Sequence, residues 1–109
     1  MKGKKFATAL NCMDGRVQEP VSKFMKRKYK INFVDMITEP GMDKVLAEGD
    51  NKKLEEIKKK IEISVKKHGS KIVAIVSHAD CAGNPVREKE HLNQIRKAIG
   101  CKDCRFMDR

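Results

Sequence analysis

The feature that most constrains this chain is an alternation of short apolar runs with longer stretches of helical periodicity. Its sharpest instance lies between about Asn51 and His68. There Leu54, Ile57, Ile61 and Val65 fall on one stripe, while Glu55/Lys59, Glu56/Lys60 and Glu62/Lys66 are spaced as stabilising i,i+4 pairs. Gly69 ends that helix, and KIVAIVS follows at 71–77, a β-branched run short enough to be a strand buried on both faces. The pattern repeats upstream. KFATALN at 5–11 reads as a buried strand of small residues, Pro20 opens a helix that places Val21, Phe24 and Met25 on one face, and INFVDMI at 31–37 reads as a second strand. Glu39, Pro40 and Gly41 interrupt it, a short helix fits 42–48, and a last helix runs from about Glu88 to Ile99 with Leu92, Ile95 and Ile99 on one side. Strands separated by helices predict an α/β fold. It would be a single domain over residues 1–109, with a parallel β-sheet of three or four strands flanked by helices and joined by right-handed crossovers.

Composition narrows the partners. A chain of 109 residues, 39% apolar and 37% charged, has material for one modest core. No stretch approaches the roughly 20 apolar residues needed to span a bilayer. The start, MKGKKFATALNC, has too short an apolar run for a signal peptide, so a cytoplasmic location with no membrane partner is expected. In a reducing compartment four cysteines point to thiolates used for metal or chemistry rather than to disulfides. The formal charge of +10 attracts anions, but the lysines interleave with glutamates, and four Phe, one Tyr and no Trp leave little for base stacking. That pattern favours a solvated surface over nucleic-acid binding.

In parallel sheets ligands sit beyond the carboxyl ends of the strands, near a switch in strand order. The two most chemical segments, Cys12-Met13-Asp14-Gly15-Arg16 and His78-Ala79-Asp80-Cys81, both follow predicted strands. Cys12, His78 and Cys81 offer two thiolates and an imidazole, a set that suits zinc, and the HxxC spacing lets two donors reach one ion from a single turn. Three protein donors leave a fourth position open, the mark of a catalytic zinc site. Asp14 is placed either to fill that position or to accept a hydrogen bond from water there, and Arg16 to hold Asp14 by a charge-assisted pair. Read as ordinary structure, the same residues are a small buried thiol and a chance HxxC.

Other residues carry weaker signals. Cys101 and Cys104 form a CxxC that fits half of a second metal site, a redox pair or an uncommitted tail over 100–109, disordered or cut short. His68 is expected to interact with the terminal carbonyls of its helix. His91, among charges, reads as a solvated side chain, with a proton shuttle as the alternative. Asp80 suits either a turn or the orientation of a neighbour. The six methionines read as core filling.

The CxDxR at Cys12, Asp14 and Arg16, followed after strand, helix and strand by the HxDC at His78, Asp80 and Cys81, resembles the paired signature of the beta-class carbonic anhydrases. In the loop Thr38-Glu39-Pro40-Gly41-Met42, only Gly41 corresponds to the loop usual in that family. The resemblance implies a fold similar to the beta-carbonic anhydrase core. It implies a zinc ion held by Cys12, His78 and Cys81, and a catalytic dyad of Asp14 and Arg16 that gates the fourth position. It also implies reversible hydration of carbon dioxide to bicarbonate by zinc-bound hydroxide, and a homodimer that builds the substrate pocket across its interface. A related zinc hydrolase acting on carbonyl sulfide or carbon disulfide, and a zinc-binding relative without turnover, are the alternatives.

Overall fold

The computed structural model describes residues 3–99, and the tail with its Cys101–Cys104 pair lies outside them. The central strand is the run of small residues: β1 (Phe6–Cys12) pairs in parallel with β2 (Phe33–Glu39) on one side and with β3 (Val73–Ile75) on the other. Ala7 and Ala9 are fully buried because this strand has helices on both faces, and small side chains let the layers approach. The sheet order β2-β1-β3 reverses direction between β1 and β3. That switch point, at the carboxyl ends of the strands, is where the two chemical segments emerge.

Between β1 and β2 the chain forms a short 3-10 turn (Gly15–Val17) and helix α1 (Gln18–Tyr29). Val21 and Met25 of α1 pack with Ala7, Ala9 and Ile31 on one face of the sheet. After β2 come α2 (Met42–Glu48) and α3 (Asn51–His68), whose Met42 and Ile57 pack with Leu10 and Ile37 on the other face. Asp50 caps α3, its carboxylate accepting from the Lys53 N–H at 2.8 Å, and Gly69 closes it with φ 70°. The last described element, α4 (Glu88–Ile99), packs against α2. The result is a three-layered α/β domain with three parallel strands and, among the described residues, four α-helices. None of these helices is long and apolar enough to cross a membrane.

Several sequence expectations need correction. The run at 71–77 is not a strand buried on both faces: only Val73–Ile75 is regular, and Val73 is 43% exposed, because the smaller-residue β1 occupies the centre and leaves β3 at an edge. The α3 stripe ends on Ser64, which is buried, while Val65 is exposed. Ser64 belongs inside because its hydroxyl donates to Asp35 at 2.6 Å and shares a hydrogen bond with the Thr8 hydroxyl of β1. His68 does not seek helix-end carbonyls, since the Gly69 and Ser70 N–H groups already satisfy the Ser64 carbonyl. Its Nδ1 instead lies 2.7 Å from Asp35 Oδ2, and its ring stacks on Phe6. Met25 and Met42 fill the core as expected, whereas Met13 is 60% exposed beside the motif it interrupts.

Candidate metal centre

Cys12 is the last residue of β1 and its side chain falls on the α2 face of the sheet, in step with Leu10. Its Sγ lies 3.7 Å from Cys81 Sγ, and both cysteines are buried and free of disulfides. His78 follows β3, and its Nδ1 is 2.8 Å from the Ala79 carbonyl oxygen. A carbonyl only accepts, so Nδ1 carries the proton and Nε2 presents a lone pair. That Nε2 is buried and has no hydrogen-bond partner among the described residues. The donor atoms of Cys12, His78 and Cys81 all lie within 4.8 Å of one another, and among the described residues this is the group of three or more such side chains able to hold a metal ion.

The donor set fits a zinc ion on the structure's own terms. An imidazole lone pair buried without a partner and two thiols in contact would be costly to leave facing each other, and a thiophilic cation would satisfy all three. The backbone also favours thiolate at Cys12. Burial pushes the thiol up, but the N–H groups of Gly41 and Asp14, together with His78 and Cys81, outweigh it and bring the pKa down from the ordinary 9.0 to about 7. Gly41 N–H points at the sulfur from 3.5 Å. Burial and the neighbouring Cys12 push Cys81 the other way, upward. In metal-free protein, alkylation of Cys12 by iodoacetamide is therefore expected to rise through a midpoint near pH 7, while Cys81 follows at higher pH. Peptide mapping of alkylation against pH checks this, and a Cys12 midpoint at or above 9.0 contradicts it.

Asp14 stands apart from the three donors and is turned to Arg16. Its Oδ1 accepts from the Arg16 backbone N–H at 2.8 Å, and its two oxygens accept from Nε at 3.1 Å each and from Nη2 at 2.6 Å. These hydrogen bonds hold the Asp14 carboxyl far below the usual carboxylate range. Arg16 reaches in turn to Asp80, with Nη2 3.1 Å from its carbonyl and Nη1 3.3 Å from Oδ2. Asp80 lies in a turn, with φ 56°, and ties the second motif to the first through Arg16.

Sequence reasoning missed the residues that hold the two motifs at this spacing. Gln18 Nε2 donates to the carbonyl of Cys12. Gly41 and Gly83 cross so closely that a Cβ on Gly83 would come within 2.6 Å of the Pro40 carbonyl carbon. Gly41 was visible as a break in the pattern, but nothing in the residue types marks Gly83. His91, expected in solvent, is buried at 3% exposure because it shares the inward face of α4 with Gln94 and Ile95. Its Nδ1 lies 2.5 Å from Asp43 Oδ2, so it is no exposed proton shuttle.

Comparison with known proteins agrees with this arrangement. A family model described as "Putative carbonic anhydrase" matches residues 2–105. No curated protein and no solved structure shows significant similarity to the chain. With nearly the whole chain covered and the Cys12, His78 and Cys81 donors gathered at the switch point of a parallel sheet, the chain belongs to this carbonic anhydrase-like family.

Proposed function

We propose that the protein catalyses the reversible hydration of carbon dioxide to bicarbonate, with zinc bound by Cys12, His78 and Cys81. The observation that carries this reading is the buried His78 Nε2, without a hydrogen-bond partner among the described residues, beside two thiols 3.7 Å apart. The chemistry zinc supplies when held by two thiolates and an imidazole is Lewis acidity, which makes hydroxide available near neutral pH.

The chain's own residues do the rest. The three N–H groups of Arg16 make four contacts to the two oxygens of Asp14, with Nε shared between them, so a place for the attacking water opens where Nε settles on one oxygen. Asp14 accepts that hydrogen bond and aims the water, and its pairing with Arg16 keeps it ionised across the working pH range. Beside His78 and Arg16 opens a cavity of about 290 Å³ lined mainly by apolar side chains, among them Val21, Phe24, Ile75 and Leu92. Its lining comes mainly from α1, β3 and α4 and touches the candidate centre at His78, without Cys12, Cys81 or Asp14. A homodimer and a cytoplasmic location complete the reading, as the family resemblance and the composition suggest.

Metal analysis together with stopped-flow hydration assays tests it. One zinc per chain and turnover that falls about 100-fold in Asp14→Ala with zinc retained are the expected results. Zinc without turnover of carbon dioxide favours a non-catalytic relative, and turnover confined to carbonyl sulfide or carbon disulfide favours the hydrolase alternative.

A further inference from the structure

A second polar cluster lies directly behind the candidate metal centre. Asp43, Asn84, His91 and Gln94 are each at least nine-tenths buried, and they come from α2, from the loop after Cys81, and from α4. The side-chain amide of Asn84 donates to Asp43 Oδ1 at 3.0 Å and to Gln94 Oε1 at 2.6 Å, which uses both of its protons. His91 Nδ1 donates to the other oxygen of Asp43, and His91 Nε2 is buried with no partner among the described residues. Burying a carboxylate, an imidazole and two amides is expensive, and an apolar core of the same volume is commonly as stable or more so. A cluster of this kind therefore serves position better than it serves stability.

Its position is specific. Two residues before Asp43, the Gly41 N–H points at Cys12 Sγ from 3.5 Å. At the other end, the Asn84 backbone N–H donates to the carbonyl of Cys81 at 3.2 Å. The Asp43–Asn84 bond thus ties together the two backbone segments that orient the two sulfurs, across the glycine crossing where Gly41 and Gly83 touch. His91 and Gln94 brace that bond from α4, so neither partner can turn away without leaving a buried polar group unpaired.

We infer that Asp43, Asn84, His91 and Gln94 are positioning residues that set the separation of the Cys12 and Cys81 sulfurs and so tune metal affinity at this site. The inference rests on the reading of Cys12, His78 and Cys81 as a metal centre and holds whichever reaction that centre performs. Partners that hold metal ligands in place typically change metal affinity by about 10- to 100-fold when removed.

Cobalt titration of the metal-free protein tests this, read by the thiolate-to-cobalt charge-transfer and d–d absorption. The double variant Asp43→Leu/His91→Phe replaces the paired polar groups by apolar ones. It is expected to fold, by circular dichroism, and to bind cobalt about 10- to 100-fold more weakly with an altered d–d spectrum. If the double variant does not fold, the single variant His91→Gln carries the same expectation at about 10-fold. Thr8→Val, which breaks the buried hydroxyl cluster elsewhere on β1, is expected to lower the melting temperature while leaving cobalt affinity and spectrum unchanged. A folded network variant with wild-type cobalt affinity and spectrum overturns the inference, as does an equal loss of affinity in Thr8→Val. Failure of the wild-type protein to bind cobalt or zinc overturns instead the metal-centre reading on which it rests.

Discussion

His78→Ala is expected to leave a folded protein that no longer retains zinc and has no hydration activity above background. The imidazole offers its Nε2 to the site and its Nδ1 donates to the exposed Ala79 carbonyl, so truncation removes chiefly a metal donor. Zinc sites with four protein ligands gather about 10–16 kcal/mol, or roughly 2.5–4 kcal/mol per donor. At about 1.4 kcal/mol per tenfold, losing one of three donors weakens binding by about 60- to 700-fold. Dialysis against a chelator of graded strength, followed by metal analysis, reads the change. Full retention of zinc by the variant would mean that His78 is not a ligand, and the assignment of the site would have to be redrawn.

Gly41→Ala is expected to cause a large loss of stability, because backbone strain and collision act at one position. Gly41 has φ 65°, and a Cβ there would stand 2.8 Å from Asn84 Cβ and 2.9 Å from the carbonyl carbon and oxygen of Gly83. The left-handed backbone costs about 1–2 kcal/mol for a side-chain-bearing residue. The collision with backbone, which cannot swing aside, adds about 1–3 kcal/mol. The sum lowers the melting temperature by about 10–20 °C in a domain of this size. Gly69→Ala is the proper comparison, because Gly69 has nearly the same φ, 70°, and nothing within 4 Å of the added Cβ. It isolates the backbone cost alone. Equal melting temperatures for the two variants would show that the crossing of 41 and 83 is not a tight contact. The Gly41 variant is also expected to weaken metal binding, since its N–H can no longer approach Cys12 Sγ from the present direction.

What could be read in the chain and what could not divide along one physical line. Helix α3 and its cap were legible because periodicity, charge spacing and Gly69 act within a few residues of one another. The meeting of Cys12 with His78 and Cys81 was legible because parallel topology alone brings strand ends together. By contrast, the place of β3 at an edge depends on which strand is central, and local β-propensity carries no such information. Val65 gave way to Ser64 inside α3 because a hydroxyl across the sheet, on Thr8, needed a partner. His91 looked solvated beside Glu88, Lys89 and Glu90. Its burial follows from Asp43, a residue far away in sequence that an α2–α4 contact makes a neighbour.

The placement of β1 between its two partners also governs how the molecule is assembled in time. Of the three described strands the middle one is synthesised first, and Thr8 cannot take up its register against Val73 until α1, β2, α2 and α3 have all been made. A nascent chain can close β1 on β2 early, but it carries one unsatisfied ladder edge until β3 has been made. Such non-local pairing slows the search for the native state and lengthens exposure to aggregation. Cys12 is thus made long before His78 and Cys81, and the three donors of the candidate centre can meet only once β3 closes on β1.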